Sequence, residues 1–385
     1  MMRDRISIGF MPLLDSACLV AAAECGFAAH EGIELALARE TSWANIRDRT
    51  LIGHFDAAHM LGPMTLASTL GIGHVRVPLI APCALGFGGN AITVSVALWE
   101  ELAVAGAGAT GDPRRCGAAL RDVIAQRAGA GREALTLGMV YPFSSHNYEL
   151  RYWLAASGID PDRDVRLVVI PPPFLVDAMR AGQIDGFCVG EPWNSLAVRV
   201  GAGVIAAPTA AIWAESGEKV LGCRRDWAER NPAKLAALIR AVYRAAVWCG
   251  DPRNHAELAR LLAEPRHVGC PAELLRPALA NRLSLLPGAE ARAFEGFFAT
   301  AGRHATFPFT SHALWFYSQM VRWRQIEPTD ENGAAARETY RPDLYRSALA
   351  PFKIELPSAD GREEHFFDGG RFDPHALETS GRLPG

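Results

Sequence analysis

Two stretches of the chain repeat one order of elements over one span, and that repeat limits the folds open to the sequence. The first opens with "ISIGF" (residues 6–10), an apolar run that predicts a buried strand. Ser16 then stands where it can cap a helix whose apolar positions include Leu19, Val20 and Ala23, closing near Gly32. "IELALA" (residues 33–38) reads as a second strand, "SWANIRDRTLIG" as a loop and helix, and "HFDAAHML" as a third strand. The second stretch begins with a strand ending at Gly138. A helix comes next, capped by Ser144 or Ser145, with Leu150, Trp153 and Leu154 as its apolar stripe. "RLVVI" (residues 166–170), the loop and helix of "PPPFLVDAMRAG", and the strand of "QIDGFCVG" complete it. Gly9 to Asp56 and Gly138 to Asp185 are both 47 positions apart, and "GHFDAA" ends the first unit as "GQIDGF" ends the second.

Two β-α-β-α-β units in one chain predict two similar α/β lobes. Parallel strands gather their loops at their carboxyl ends, so facing lobes line a shared cleft, the layout of a venus-flytrap binding protein. "NAITVSVALWEELA" (residues 90–103) is the expected hinge strand leading into a helix, and "GVIAA" (residues 203–207) is placed to carry the chain back. The expected first lobe is residues 1–90 and 205–385, with a C-terminal arm, and the second is residues 91–204. "NPAKLAALIRAVYRAAVWCG" predicts an amphipathic helix capped by Asn231, with Pro232 in its first turn. In "SHALWFYSQMVRWRQI", Trp315, Met320 and Trp323 read as core. The last stretch, from Arg341 on, is rich in Pro, Gly and charge and is expected to form one short helix and then an extended arm.

A formal net charge of −3, with 49% hydrophobic and 21% charged residues, gives no reason to expect nucleic acid or acidic lipid as a direct partner. The opening "MMRDRISIGF" has no apolar signal core and runs straight into a strand, so a cytoplasmic location is expected. The eight cysteines form no CxxC pair and read as free thiols of a reducing compartment.

The segments just after each strand should line the cleft. Trp43 comes after the second strand of the first unit, and "CALGFGGNAIT" brings closely spaced glycines and Asn90 into the hinge. "SSHN" places His146 at a helix N-terminus, where free amides favour an anion. The proline triplet at 171–173 rigidly shapes the opposite wall, and Lys219 precedes a strand-like segment. Taken singly, each has a plainer reading. His146 serves as a cap, Asn90 as a turn amide, Lys219 as an exposed lysine, Trp43 as packing under a loop and the prolines as a rigid turn. Their common address at strand ends is what favours a site.

"ETSWANIRDRTLIGHFDAAHML", "SSHNYELRYWLAASGID", "VVIPPPFLVDAMRAGQIDGFCVGEPWN" and "YRPDLYRSALAPF" resemble the nitrate- and bicarbonate-binding proteins of ABC transporters, the NrtA/CmpA family. The resemblance runs from Arg5 to the Phe-Phe-Asp-Gly segment near the C-terminus. It implies an α/β, two-lobed periplasmic-binding-protein fold (venus-flytrap, type II) with an oxyanion between the lobes. It further implies Trp43, Gly86, Asn90, His146, Pro172 and Lys219 as ligand residues, Asn90 standing where the family has glutamine. The family's bicarbonate binders resemble one another in having Glu at the Lys219 position, with calcium nearby. Nitrate carries acceptors only, so donors and a cation satisfy it, whereas bicarbonate's O–H wants a carboxylate. Glu218 is adjacent, but in an extended segment it is expected to point the other way. Nitrate, with nitrite as a second candidate, is therefore the expected ligand, and no metal or cofactor is expected.

Without a secretory signal the chain is similar to cytoplasmic nitrate sensors of the NasS type. That implies a partner, a NasT-type RNA-binding antiterminator, held when nitrate is absent and released when it binds, with no direct contact to nucleic acid or membrane. Two other readings stand beside it, the solute-binding subunit of a transporter and an enzyme related to thiamine-pyrimidine synthesis proteins. The enzyme reading is the weakest, since no catalytic dyad spacing is present and Cys18 reads as an apolar helix residue.

Overall fold

The computed structural model describes residues 4–73 and 75–375. The first unit runs β1 (Asp4–Phe10), α1 (Ala17–Glu24), α2 (Phe27–His30), β2 (Ile33–Arg39), α3 (Trp43–Leu51) and β3 (Ala57–Leu61), then α4 (Gly62–Leu70) and β4 (Leu79–Ala84). A two-residue strand β5 (Phe87–Gly88) leads into β6 (Asn90–Ser95), α5 (Val96–Val104) and α6 (Pro113–Gly129). The second unit is β7 (Leu135–Met139), α7 (Ser145–Ala156), β8 (Val165–Val169), α8 (Leu175–Arg180) and β9 (Gly186–Gly190). After α9 (Trp193–Arg199) come β10 (Gly203–Pro208) and β11 (Lys219–Arg224).

The repeat survives in hydrogen-bonded detail. One sheet has the order β2-β1-β3-β11-β4 and the other β8-β7-β9-β6-β10. In each, three parallel strands are followed by one antiparallel strand. Ile8 and Gly9 pair with Ala57 and Ala58 as Leu137 and Gly138 pair with Gly186 and Phe187. Asp56 accepts from the Ser7 amide at 2.8 Å, and Asp185 from the Thr136 amide at 2.7 Å. Each aspartate thus satisfies the donor of a first strand whose parallel neighbour has not yet begun. Just before each aspartate, a glycine ends a helix at positive φ, Gly53 at 79° and Gly182 at 69°, a conformation with no steric cost for a residue lacking Cβ.

The antiparallel strands are exchanged between the halves. β6 leaves the first unit and lies between β9 and β10; β11 returns and lies between β3 and β4. The two crossings bring the first residues of these strands, Asn90 and Lys219, to the junction of the lobes. β10, expected to carry the chain back, pairs with β6 in the second sheet along its length, and the return is made by the segment before Lys219.

Several local expectations change. Ser16 does not cap α1: its hydroxyl donates to the Leu13 carbonyl, and the helix breaks at Gly26, so two short helices stand where one was expected. Asn231 precedes the long helix α11 (Pro232–Cys249), after α10 (Arg225–Arg230), but its amide donates back to the Trp227 carbonyl instead of capping. Ser144, not Ser145, caps α7, accepting from the Asn147 amide. The stripe of α7 packs as expected, with Leu150, Trp153 and Leu154 buried in the same apolar cluster as Leu98 and Leu120. Trp315 and Met320 are buried, and Trp323 packs at the edge of the core. From Arg341 on, the described residues hold the one expected short helix, Pro342–Leu349, and then an arm whose Glu364–His365 and Arg371–Phe372 pair as a small hairpin; a further helix, Asp330–Thr339, precedes that stretch. Tyr152 of α7 donates to Asp368 of the arm at 2.9 Å. Among the described residues no helix is long and apolar enough to cross a membrane. The eight cysteines are free thiols.

Candidate functional site

The carboxyl ends of the parallel strands feed helix N-termini, as the repeat requires. After β1 the chain passes Asp15 into α1; after β2, Ser42 caps α3, whose first residue is Trp43. After β7, Ser144 caps α7, with His146 in its first turn, and after β8, Pro172 opens the short turn before α8. Trp43 and Pro172 occupy equivalent places in the two units.

Between the lobes lies a sealed polar cluster. Asp15, Trp43, His59, Asn90, His146, Glu149, Glu218 and Lys219 are each no more than 4% exposed, so no charge among them is compensated by bulk water. The Lys219 ammonium stands at its centre, 2.9 Å from Asp15 Oδ2, 3.1 Å from Glu218 Oε2 and 3.5 Å from His146 Nε2. His59 Nε2 lies 3.0 Å from the other Asp15 oxygen, while its Nδ1 accepts from the Met11 amide. This fixes the tautomer with the Nε2 proton directed to Asp15. The Trp43 ring meets the His59 ring edge-on, centroids 5.3 Å apart. On the second lobe, Asn90 Nδ2 donates to Glu149 Oε2 at 3.3 Å. A Cβ at Gly190 would come within 3.1 Å of Asn90 Oδ1 and 3.5 Å of Asp15 Oδ2, so the lobes meet over a residue that must be small.

The electrostatics divide the cluster. Burial opposes the charge of Asp15, but the Lys219 ammonium and His59 outweigh it and hold the carboxyl well below the usual range. Burial likewise opposes the charge of Lys219, and Asp15 and Glu218 overcome it, so the ammonium stays protonated. Glu218 is pushed up to about 7 by burial, against the pull of Lys219, while its Oε1 accepts from Ser216 and Thr209. Burial, with Glu218 beside it, drives Glu149 well above the carboxylate range. Burial and the Lys219 charge keep His146 neutral. Since His146 Nε2 faces an ammonium, its proton sits on Nδ1.

Besides Asp15 Oδ1 and His59 Nε2, which have only their 3.0 Å contact with each other, four polar atoms of the cluster are buried without a partner: Trp43 Nε1, His146 Nδ1, Asn90 Oδ1 and Glu149 Oε1. Such atoms cost about 1–3 kcal/mol each when nothing pairs them. Two are N–H donors, which is what an oxyanion needs.

Trp43, Asn90, His146 and Lys219 are therefore drawn into one cluster or its wall. Gly86 and Pro172 take no part in its hydrogen bonds among the described residues. Gly86 has a φ of 133°, and a Cβ there would meet the Ala299 carbonyl at 2.7 Å, so this position needs glycine for backbone packing. The expectation for Glu218 is corrected. It lies in the segment before β11, outside the pleat whose alternation would turn it away, and it binds the Lys219 ammonium.

Asp15, His59 and Glu149 were not singled out from the sequence, and Glu218 was considered there only as pointing away from the site. Glu149 had a signal, since it stands three positions after His146 on one helix face. Asp15 and His59 meet Lys219 only through the sheet order β1-β3-β11, which no local pattern announces.

The profile of the NMT1-like family matches residues 3–263. The nitrate/nitrite binding protein NrtA of Synechococcus elongatus is 34% identical over 96% of this chain and 83% of its own length. The nitrate import ATP-binding protein NrtC of Synechocystis is 36% identical over 96% of this chain, which spans 53%, about half, of that relative. The crystal structure of the periplasmic nitrate-binding protein NrtA from Synechocystis PCC 6803 superposes with a TM-score of 0.88 at 28% identity, covering 99% of both chains. The two-lobed periplasmic-binding-protein fold is thus shared with a solved structure along nearly its whole length.

Proposed function

The chain belongs to the NMT1-like family, and on that footing we propose that it binds nitrate, with nitrite as a second ligand, between its lobes. The observation that carries this reading is the meeting of Trp43, Asn90, His146 and Lys219 in one sealed cluster that holds unpartnered N–H donors. Trp43 Nε1–H and His146 Nδ1–H donate to the anion. The Lys219 ammonium supplies positive charge, which burial opposes and which Asp15 and Glu218 keep protonated. Water is excluded, which strengthens each charge-assisted bond. Gly86 and Pro172 belong to this reading as walls of the cleft. The protein acts as a binder and not as an enzyme, needing neither metal nor cofactor.

Calorimetric titration with nitrate, nitrite and bicarbonate tests the reading. Nitrate binding that disappears in Lys219→Glu supports it. Bicarbonate binding in place of nitrate, or no binding of any of the three, overturns it.

The consequence of binding is read as signalling in the cytoplasm. The nitrate-free chain holds a NasT-type antiterminator, and closure on nitrate releases it; the mild net charge of −3 suits a regulator that leaves RNA contact to its partner. A pull-down of the antiterminator that is unchanged by saturating nitrate rejects this step. The second reading, a solute-binding subunit of an ABC transporter, is favoured by the match to NrtA over 83% of that protein. Periplasmic recovery of the native protein on cell fractionation decides for it.

A further inference from the structure

Glu149 is a member of the cluster on the second lobe to which the nitrate reading gives no role. It lies one helical turn after His146 on α7, so both side chains leave the same face toward the lobe junction. Its Oε2 is held by Asn90, and the Ser216 hydroxyl lies close to the carboxyl while donating to Glu218, so its buried Oε1 is left without a hydrogen bond. The charged and titratable groups that face it are Lys219 at the head of the returning strand and Glu218 just before it, with Asp15 behind them, and Cys188 from β9. His146 stands beside it on its own helix.

A simple charge count sets the problem. Lys219 is already matched by Asp15 at 2.9 Å, and Glu218 lies 3.1 Å away on another side. An ionised Glu149 would add a second unmatched carboxylate beside Glu218, and an incoming anion would face repulsion with no water to screen it. A neutral Glu149 reverses this. Its carboxyl carries one O–H, and the unpartnered oxygen becomes a donor.

We propose that Glu149 is a further ligand of the anion and enters the bound state as the neutral acid, its O–H donating to an anion oxygen, so that each anion is taken up together with one proton. The inference rests on the reading of the cluster as the nitrate site. The proton comes from solvent. The cluster is sealed, so an anion reaches it only when the lobes part, and a parted cleft exposes Glu149 to water, where it is ionised at neutral pH. Closure around the anion removes that water and returns the carboxyl to the burial and the Glu218 neighbour that raise its titration well above the ordinary carboxylate range. The protonated form gains on closing, so anion affinity is fully developed at acid pH and declines as pH rises between the open-cleft and closed-cleft titrations of Glu149. The same state sets specificity. A neutral acid donates to nitrate, which has only acceptors, whereas a carboxylate would accept from the O–H of bicarbonate.

The test is titration calorimetry of the full chain with sodium nitrate at pH 7 and pH 8, in two buffers of different ionisation enthalpy, on wild type and Glu149→Gln. The expected result is uptake of about one proton per nitrate and an affinity about tenfold weaker at pH 8 than at pH 7. In Glu149→Gln, which is neutral at every pH and retains a donor, the uptake and the pH slope are both expected to vanish. Wild-type nitrate binding without proton uptake overturns the inference and leaves the nitrate reading intact. Uptake that persists in Glu149→Gln overturns it too and moves the proton to Glu218. Absence of nitrate binding at either pH overturns the nitrate reading, and this inference with it.

Discussion

The two halves of the molecule share a scaffold and divide the chemistry. Asp56 and Asp185 make the same bond to the first strand of their units, and both second helices end in a glycine at positive φ. At the cleft the halves part company. Equivalent places hold Trp43 in one and Pro172 in the other. The first half brings the permanent charges, Asp15 and Lys219, while the second brings His146, Asn90 and Glu149, which burial keeps neutral or which carry no charge. A repeated scaffold constrains the backbone strongly and the residues at loop ends hardly at all, so the halves are free to differ there.

Disrupting that division of charge should have the largest effect. Lys219→Met leaves the Asp15 carboxylate buried with its main countercharge gone, and a loss of about 3–5 kcal/mol in urea unfolding is expected. The double variant Asp15→Asn/Lys219→Met should recover most of it, since no unmatched charge then remains. If the double variant is as unstable as the single one, charge pairing is not what holds the first half of the cleft.

The shared scaffold is probed by a matched pair. Asp56→Ala and Asp185→Ala each strand one backbone N–H, at an expected cost of about 1–3 kcal/mol apiece. Asp56 should cost somewhat more, because it also accepts from the Ser7 hydroxyl at 2.9 Å. A clear difference in the other direction would show that the repeat is geometric without being energetically equivalent.

At the helix caps the halves should differ least. Ser42→Ala and Ser144→Ala each remove a cap, worth about 1 kcal/mol. Ser144 is buried and also donates to the Tyr141 carbonyl, so its loss should exceed that of the exposed Ser42 bond in thermal unfolding. Equal losses would mean that burial adds nothing to the cap of α7.

The fold was legible to the extent that it is periodic. Apolar alternation in "ISIGF" and the Leu150, Trp153 and Leu154 stripe are local patterns, and each became the expected strand or helix. Ser16 and Asn231 failed as caps because a carbonyl within four positions, Leu13 or Trp227, competes for the same side chain, and cap propensity does not see that competitor. Lys219 was placed at the head of its strand, yet its ion pairs were out of reach. Glu218 was turned away by a rule for regular strands that stops one residue before it applies, since β11 begins at Lys219.

The two-unit plan is written in the amino-acid order alone, because hydrophobic period and turn residues act over a few positions and need no distant partner. The anion-suited residue types after the strands are written there too. The state of those residues belongs to the folded molecule. Asp15 and His59 come to Lys219 through the order β1-β3-β11 and Glu149 through the exchange of strands between the sheets, while Glu218 is the chain neighbour of Lys219. Protonation in a sealed cluster depends on which charges are brought within a few ångströms without water. Neither the distances nor the exclusion of water exists until the lobes have met.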